Sequence, residues 1–156
     1  MGMDIEGIKP KNVKGQYFAA NLWAWRPINF ICSYVNEKEQ LGFNMEYWDS
    51  NSGYGLNNGN DCNILADAIE RLLVIVPDLN EDDDKLYVNM GFWVDSSSIF
   101  ITDKDELNKE YPIGTIMFTS IIDKNGRKVE PAHSISLGRL KDFTEFLRNS
   151  GGFKIY

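Results

Sequence analysis

His133 is the only histidine in this chain, and with Ser134 and Ser136 beside it the residue types of a nucleophilic hydrolase are present. Their setting is not that of one. A serine nucleophile needs an organising turn that lifts its hydroxyl toward a base, and no nucleophile elbow or comparable motif surrounds these residues. Placed after Pro131 and Ala132 near a strand end, His133 is expected as a surface or hydrogen-bonded loop histidine. Carboxylates such as Asp49 and Asp61 have no spacing that argues for acid–base hydrolysis. No catalytic residue is assigned.

The acidic segment 78–85 invites a calcium test. An EF-hand loop starting at Asp78 would draw oxygen ligands from Asp78, Asn80 and Asp82. Its sixth position is Asp83 where glycine is required, and its twelfth is Asn89 where glutamate is required. The segment reads as a solvated acidic loop, and neither metal nor cofactor is expected. The glycines Gly53, Gly55 and Gly59 lead into a helix whose free amides suit an anion. Their pattern is neither the Walker motif nor the dinucleotide fingerprint, and Asp61 at the helix entrance repels phosphate.

The remaining candidate is the aromatic segment 17–27. Trp23 and Trp25 beside Arg26 supply stacking surface and a bidentate cation, residue types enriched at binding hot spots. The competing reading places the tryptophans in the core and pairs Arg26 with an acidic neighbour. The candidate ligand- or partner-binding residues are Asn21, Trp23, Trp25 and Arg26, with Tyr54 and Asn57 from the glycine-rich loop.

These groups must be positioned by a chain of 156 residues, 43% hydrophobic and 13% aromatic, which is ample for a packed core without metal or disulfide. A net charge of -7 and a pI near 4.7 oppose nucleic-acid binding through phosphates, which needs a basic stripe. A basic protein partner suits the charge better. Cys32 and Cys62 each sit in an apolar helical pattern and read as buried small hydrophobes, although spacing alone leaves a disulfide between them open. With no secretory signal and no apolar run near the length of a membrane span, the expectation is a cytoplasmic protein that does not enter a membrane.

Residues 1–14 carry little periodicity and read as a flexible lead-in to a single globular domain over 15–156. Phe18, Leu22 and Trp25 recur at i, i+4 and i+7, favouring a helical turn over the strand in which Tyr17, Trp23 and Trp25 would share a face. Pro27 predicts a break and a new helix, with Ile28, Ile31, Tyr34 and Val35 at helical spacing. After a polar linker at 49–61, Asn60 or Asp61 caps a helix bearing Ile64, Leu65, Ala68, Ile69, Leu72, Leu73 and Val76, stopped by Pro77. The second half turns to strand formers at 86–88, 92–94, 98–102 and 115–122, with Asn125-Gly126 signalling a hairpin into Val129. A last helix carries Leu137, Leu140, Phe143, Phe146 and Leu147 and ends in a glycine cap at Gly151 or Gly152, after which Phe153 and Ile155 return to the core.

The combination Gly15, Tyr17, Phe18, Asn21, Trp23, Trp25, Arg26 and Pro27 near the start, with Phe143, Phe146, Ser150, Gly151, Gly152 and Phe153 at the end, resembles a group of short uncharacterised proteins of bacteria and mobile elements. The likeness covers the two ends and carries over no catalytic residue. It implies a small bacterial accessory or phage-related protein. The expected fold is α+β, with about three helices and a small antiparallel sheet drawn mainly from the second half. The expected function is non-enzymatic binding of a protein partner through an acidic, aromatic-bearing surface. The alternative is a small anionic ligand held between the Trp23, Trp25 and Arg26 segment and the loop 53–59.

Overall fold

The computed structural model describes residues 2–74 and 84–156. The Pro77 stop and the acidic loop with its calcium test fall largely outside them. The fold is α+β: the described residues form four α-helices, a 3-10 turn at Val13–Gly15 and two antiparallel sheets of three and four strands. The chain packs as two compact units, one from residues 1–79 with 138–156 and the other from residues 80–137.

The first unit holds β1 (Gly2–Gly7), β2 (Tyr17–Asn21), α1 (Leu22–Lys38), α2 (Gly59–Val74), nearly all of α4 (Leu137–Ser150) and β7 (Phe153–Ile155). Its sheet runs β2-β1-β7. The flexible lead-in is corrected here, because residues 2–7 form the central strand. Met3 and Ile5 alternate with Asp4 and Glu6, so one face of the strand can be buried while the other stays wet. The helical reading of residues 17–21 is corrected as well: they form β2, and the recurrence of Phe18 with Leu22 and Trp25 is coincidental.

Helix α1 starts only after Asn21, whose side chain accepts a hydrogen bond from the Ala24 amide at 2.9 Å. It then passes through Pro27 without the expected break. An interior proline costs about 3 kcal/mol, which is offset by the continuous stripe of Trp25, Pro27, Ile28, Ile31, Cys32 and Val35 that the helix buries. On the sheet's inner face, Phe18 meets Phe143 of α4 edge-on at 5.2 Å, and Trp48 meets Phe153 at 5.2 Å. Trp25 packs on Phe143 at 5.9 Å, which completes an aromatic core. Cys32 and Cys62 are both buried and free, and burial raises both thiols above their ordinary pKa.

The chain ends are locked together by glycines. A Cβ on Gly15 would sit 1.9 Å from the Asn149 carbonyl oxygen, one on Gly7 1.9 Å from that of Gly15, and one on Gly151 2.3 Å from that of Lys9. The amides of Ile8, Lys9 and Lys11 donate to the carbonyls of Gly152, Ser150 and Asn149 at 2.8–2.9 Å. This close backbone approach joins the segment after β1 to the end of α4. Gly151 and Gly152, at φ 67° and 106°, supply the expected left-handed cap.

The second unit holds β3 (Lys85–Asp95), α3 (Asp105–Glu110), β4 (Ile116–Met117), β5 (Ile121–Ile122) and β6 (Lys128–Ser136), in sheet order β4-β3-β6-β5. The two strands expected at 86–88 and 92–94 are one strand interrupted by a bulge, and the run 115–122 splits into two short strands. Residues 98–102 contribute only a single bridge, Val94 to Phe100. Trp93, Ile101, Leu107, Met117 and Val129 form the core.

Candidate functional site

Alternating burial turns Asp4 and Glu6 of β1, Tyr17 and Ala19 of β2, and Lys154 of β7 to the solvent side of the first sheet. Strand register sets them in rows, with Glu6 opposite both Tyr17 and Lys154, and Asp4 opposite Ala19. Tyr156 extends the Asp4 row, its amide donating to the Asp4 carbonyl at 2.7 Å and its carbonyl accepting from the Asp4 amide at 3.0 Å. The Tyr17 hydroxyl donates to the Asp4 carboxylate. That bond, with partial burial and the charges of Asp4 and Glu6, raises the Tyr17 pKa and keeps the phenol neutral. A shallow groove of about 190 Å³ opens on this face between Glu6, Gly7, Ile8, Lys154 and Tyr156.

The glycine-rich loop runs along the free edge of β7. The Gly53 amide donates to the Ile155 carbonyl at 2.7 Å, and the Ile155 and Phe153 amides donate to the carbonyls of Tyr54 and Leu56 at 2.9 and 2.7 Å. The loop therefore covers the outer edge of β7 as an irregular fourth strand. Gly55 is needed for this approach, since a Cβ there would lie 2.2 Å from the Phe153 carbonyl oxygen. At Gly53 a Cβ would lie 3.9 Å from the Tyr156 ring, so Tyr156 and the loop adjoin. Next along the loop, Tyr54 and Tyr47 approach to 5.2 Å between ring centroids at an interplanar angle of 37°. Tyr17, Tyr47, Tyr54 and Tyr156 are each about half exposed. The groove is thus lined by one carboxylate, Glu6, one phenol, Tyr156, and Lys154, with Asp4 and Tyr17 on the same solvent side of the sheet.

The six residues singled out in the sequence separate. Trp25 is a core residue, 1% exposed, with its indole donating to the Trp48 carbonyl at 2.7 Å, so stacking on a ligand from solvent is corrected for this position. Trp23, 54% exposed, and Arg26 lie three residues apart on the outer side of α1. Asn21 is the helix cap. Tyr54 is 56% exposed on the loop that borders β7. Asn57 is exposed, and its backbone packs against Gly152. The cap of α2 is Asn58, which accepts from the Asp61 amide at 2.8 Å, in place of the Asn60 or Asp61 expected. His133 is neither on the surface nor in a loop: it sits within β6 opposite Val88, 3% exposed, its ring 6.3 Å from that of Phe92.

Asp4, Glu6, Tyr17, Tyr47 and Tyr156 were missed. The signal for Asp4 and Glu6 was the alternation from Met3 to Glu6, hidden by the Gly, Pro and Lys that follow. Among the described residues no group of three or more His, Cys, Asp or Glu converges, and no helix is long and apolar enough to cross a membrane. Comparison with protein-family models, with curated proteins and with solved structures finds no match to the chain.

Proposed function

We propose that this chain is a non-enzymatic binding protein that holds a basic protein partner against the open face of its first sheet. The observation that carries this reading is the gathering of Asp4, Glu6 and Tyr17 on one solvent-facing side, with half-exposed Tyr156 extending the Asp4 row and Gly53 of the neighbouring loop beside its ring. Half-exposed tyrosines offer contact area at low entropic cost, and the carboxylates favour a cationic surface. The end-motif resemblance supports a bacterial accessory or phage-related role.

The test is capture from bacterial extract on the immobilised chain at low salt and at about 0.5 M salt, using the parent and the variant Glu6→Gln/Tyr156→Ala. A protein retained by the parent at low salt, released at high salt and lost from the variant is the expected result. Equal retention by both chains would remove the open face from consideration.

A second reading is favoured by the exposure of Trp23 and Arg26 on one helix side. There Arg26 would clamp an anionic group and Trp23 would stack on an attached ring. The loop 53–59 has no part in this narrower version, because Gly55 serves the approach to β7 and Gly59 lies against Gly151.

A further inference from the structure

Tyr47 has φ 69°, a left-handed backbone that disfavours a bulky side chain. Its carbonyl accepts from the Ser52 hydroxyl at 2.7 Å, which holds the turn in place. A glycine would serve this turn with less strain, so the backbone alone does not account for a tyrosine. What the position provides is a ring, half exposed, beside the half-exposed ring of Tyr54. Ring faces carry negative potential and attract cations. The cation–π contacts among the described residues lie on Tyr34, Phe92 and Phe18.

In the sequence the charges nearest the pair are acidic, while Lys154 lies beside Tyr156 in the neighbouring groove. Between Lys38 and Arg71 the chain has no lysine or arginine, while Glu39, Glu46, Asp49, Asp61, Asp67 and Glu70 fall in that interval. Glu39 pairs with Arg71, and Asp67 and Glu70 pair with Arg148. Among the described residues Glu46 and Asp49, which flank Tyr47 in the sequence, enter none of the ion pairs, and both are exposed. The two exposed carboxylates that flank Tyr47 disfavour an anionic ligand and suit a cation. A cation that is planar, weakly hydrated and able to stack meets both the rings and the carboxylates, and among protein side chains that is a guanidinium.

We infer that the Tyr47 and Tyr54 pair is the subsite that takes an arginine side chain of the partner. This rests on the partner-binding reading above and adds to it a preference for arginine over lysine at one place.

The probes are two capped peptides, acetyl-Gly-Arg-Gly-Arg-Gly-amide and its lysine counterpart, titrated at low salt and followed by tyrosine chemical shifts. The parent is expected to bind the arginine peptide about three- to fivefold more tightly. Tyr54→Leu is expected to bind both peptides equally. Tyr47→Gly, which suits the left-handed backbone, should also lose the preference while its thermal midpoint is kept or raised. Equal binding of the two peptides by the parent, binding of neither, or a preference that survives in both variants would overturn the inference. In each of those cases the capture experiment with Glu6→Gln/Tyr156→Ala still decides the broader reading by itself.

Discussion

At the scale of the residue, identical amino acids divide sharply by position. Trp23 and Trp25 are two apart, yet one faces solvent and the other donates a hydrogen bond inside the core. Two residues are about 200° of helix, so α1 cannot bury both; which one it buries depends on where the helix starts, and that is set by Asn21. The glycines divide too. Gly15 is pressed against the Asn149 carbonyl, whereas Gly42 at φ 78° has open space around it. Gly15→Ala is expected to destabilise by about 2–3 kcal/mol or more through overpacking against backbone. Gly42→Ala should cost only about 1 kcal/mol, for the left-handed conformation alone. Urea unfolding of the two variants checks this, and the reverse ranking would contradict the close approach of the chain ends.

At the scale of the element, the hairpin between β5 and β6 shows how a local signal became structure. Asn125-Gly126 predicts the turn, and Gly126 takes φ 79° with its amide donating to the Asp123 carbonyl at 3.0 Å. Only the structure shows that the Asp123 carboxylate organises it, accepting from the Asn125 and Arg127 amides at 2.9 Å each and from the Arg127 guanidinium at 2.8 Å. Burial opposes the charge on Asp123, but these donors outweigh it and hold the pKa below the ordinary value. Arg127 also donates to both carboxylate oxygens of Asp103 at 3.1 Å and lowers that pKa as well. A carboxyl whose folded pKa is depressed contributes stability above its unfolded value, near 4, and that stability is lost as pH falls through the folded pKa. Asp123→Asn should therefore be less stable than the parent at pH 7 and lose less on going to pH 3. Thermal unfolding at both pH values tests this, and a parent and variant with the same acid loss would show that the hairpin carboxylate does not titrate with folding.

At the scale of the whole molecule, net charge and ligand linkage can be read without knowing a partner. Anything that binds the native chain alone shifts its unfolding equilibrium, by about 2.7 kcal/mol at one hundred times the dissociation constant. A panel of nucleotides and other anions should raise the thermal midpoint of the parent and not of Arg26→Ala if the anionic-ligand reading holds. No shift with any of them would leave the protein-partner reading as the one to pursue.

The sequence by itself determined the α+β class, the long apolar helices, the Asn125-Gly126 hairpin and the glycine cap after α4, because each is written in neighbouring residues through periodicity or turn chemistry. The tertiary structure decided the rest. That residues 2–7 are a central strand, that Pro27 stays inside a helix, that His133 is sealed in a sheet and that Asp4, Glu6 and Tyr17 come to one face all depend on pairings between residues far apart in the chain. Local propensity is worth tenths of a kcal/mol per residue, whereas burying one large apolar side chain is worth about 1.5–3 kcal/mol. Where the two conflict, packing sets the outcome, and it was packing that assembled the open face.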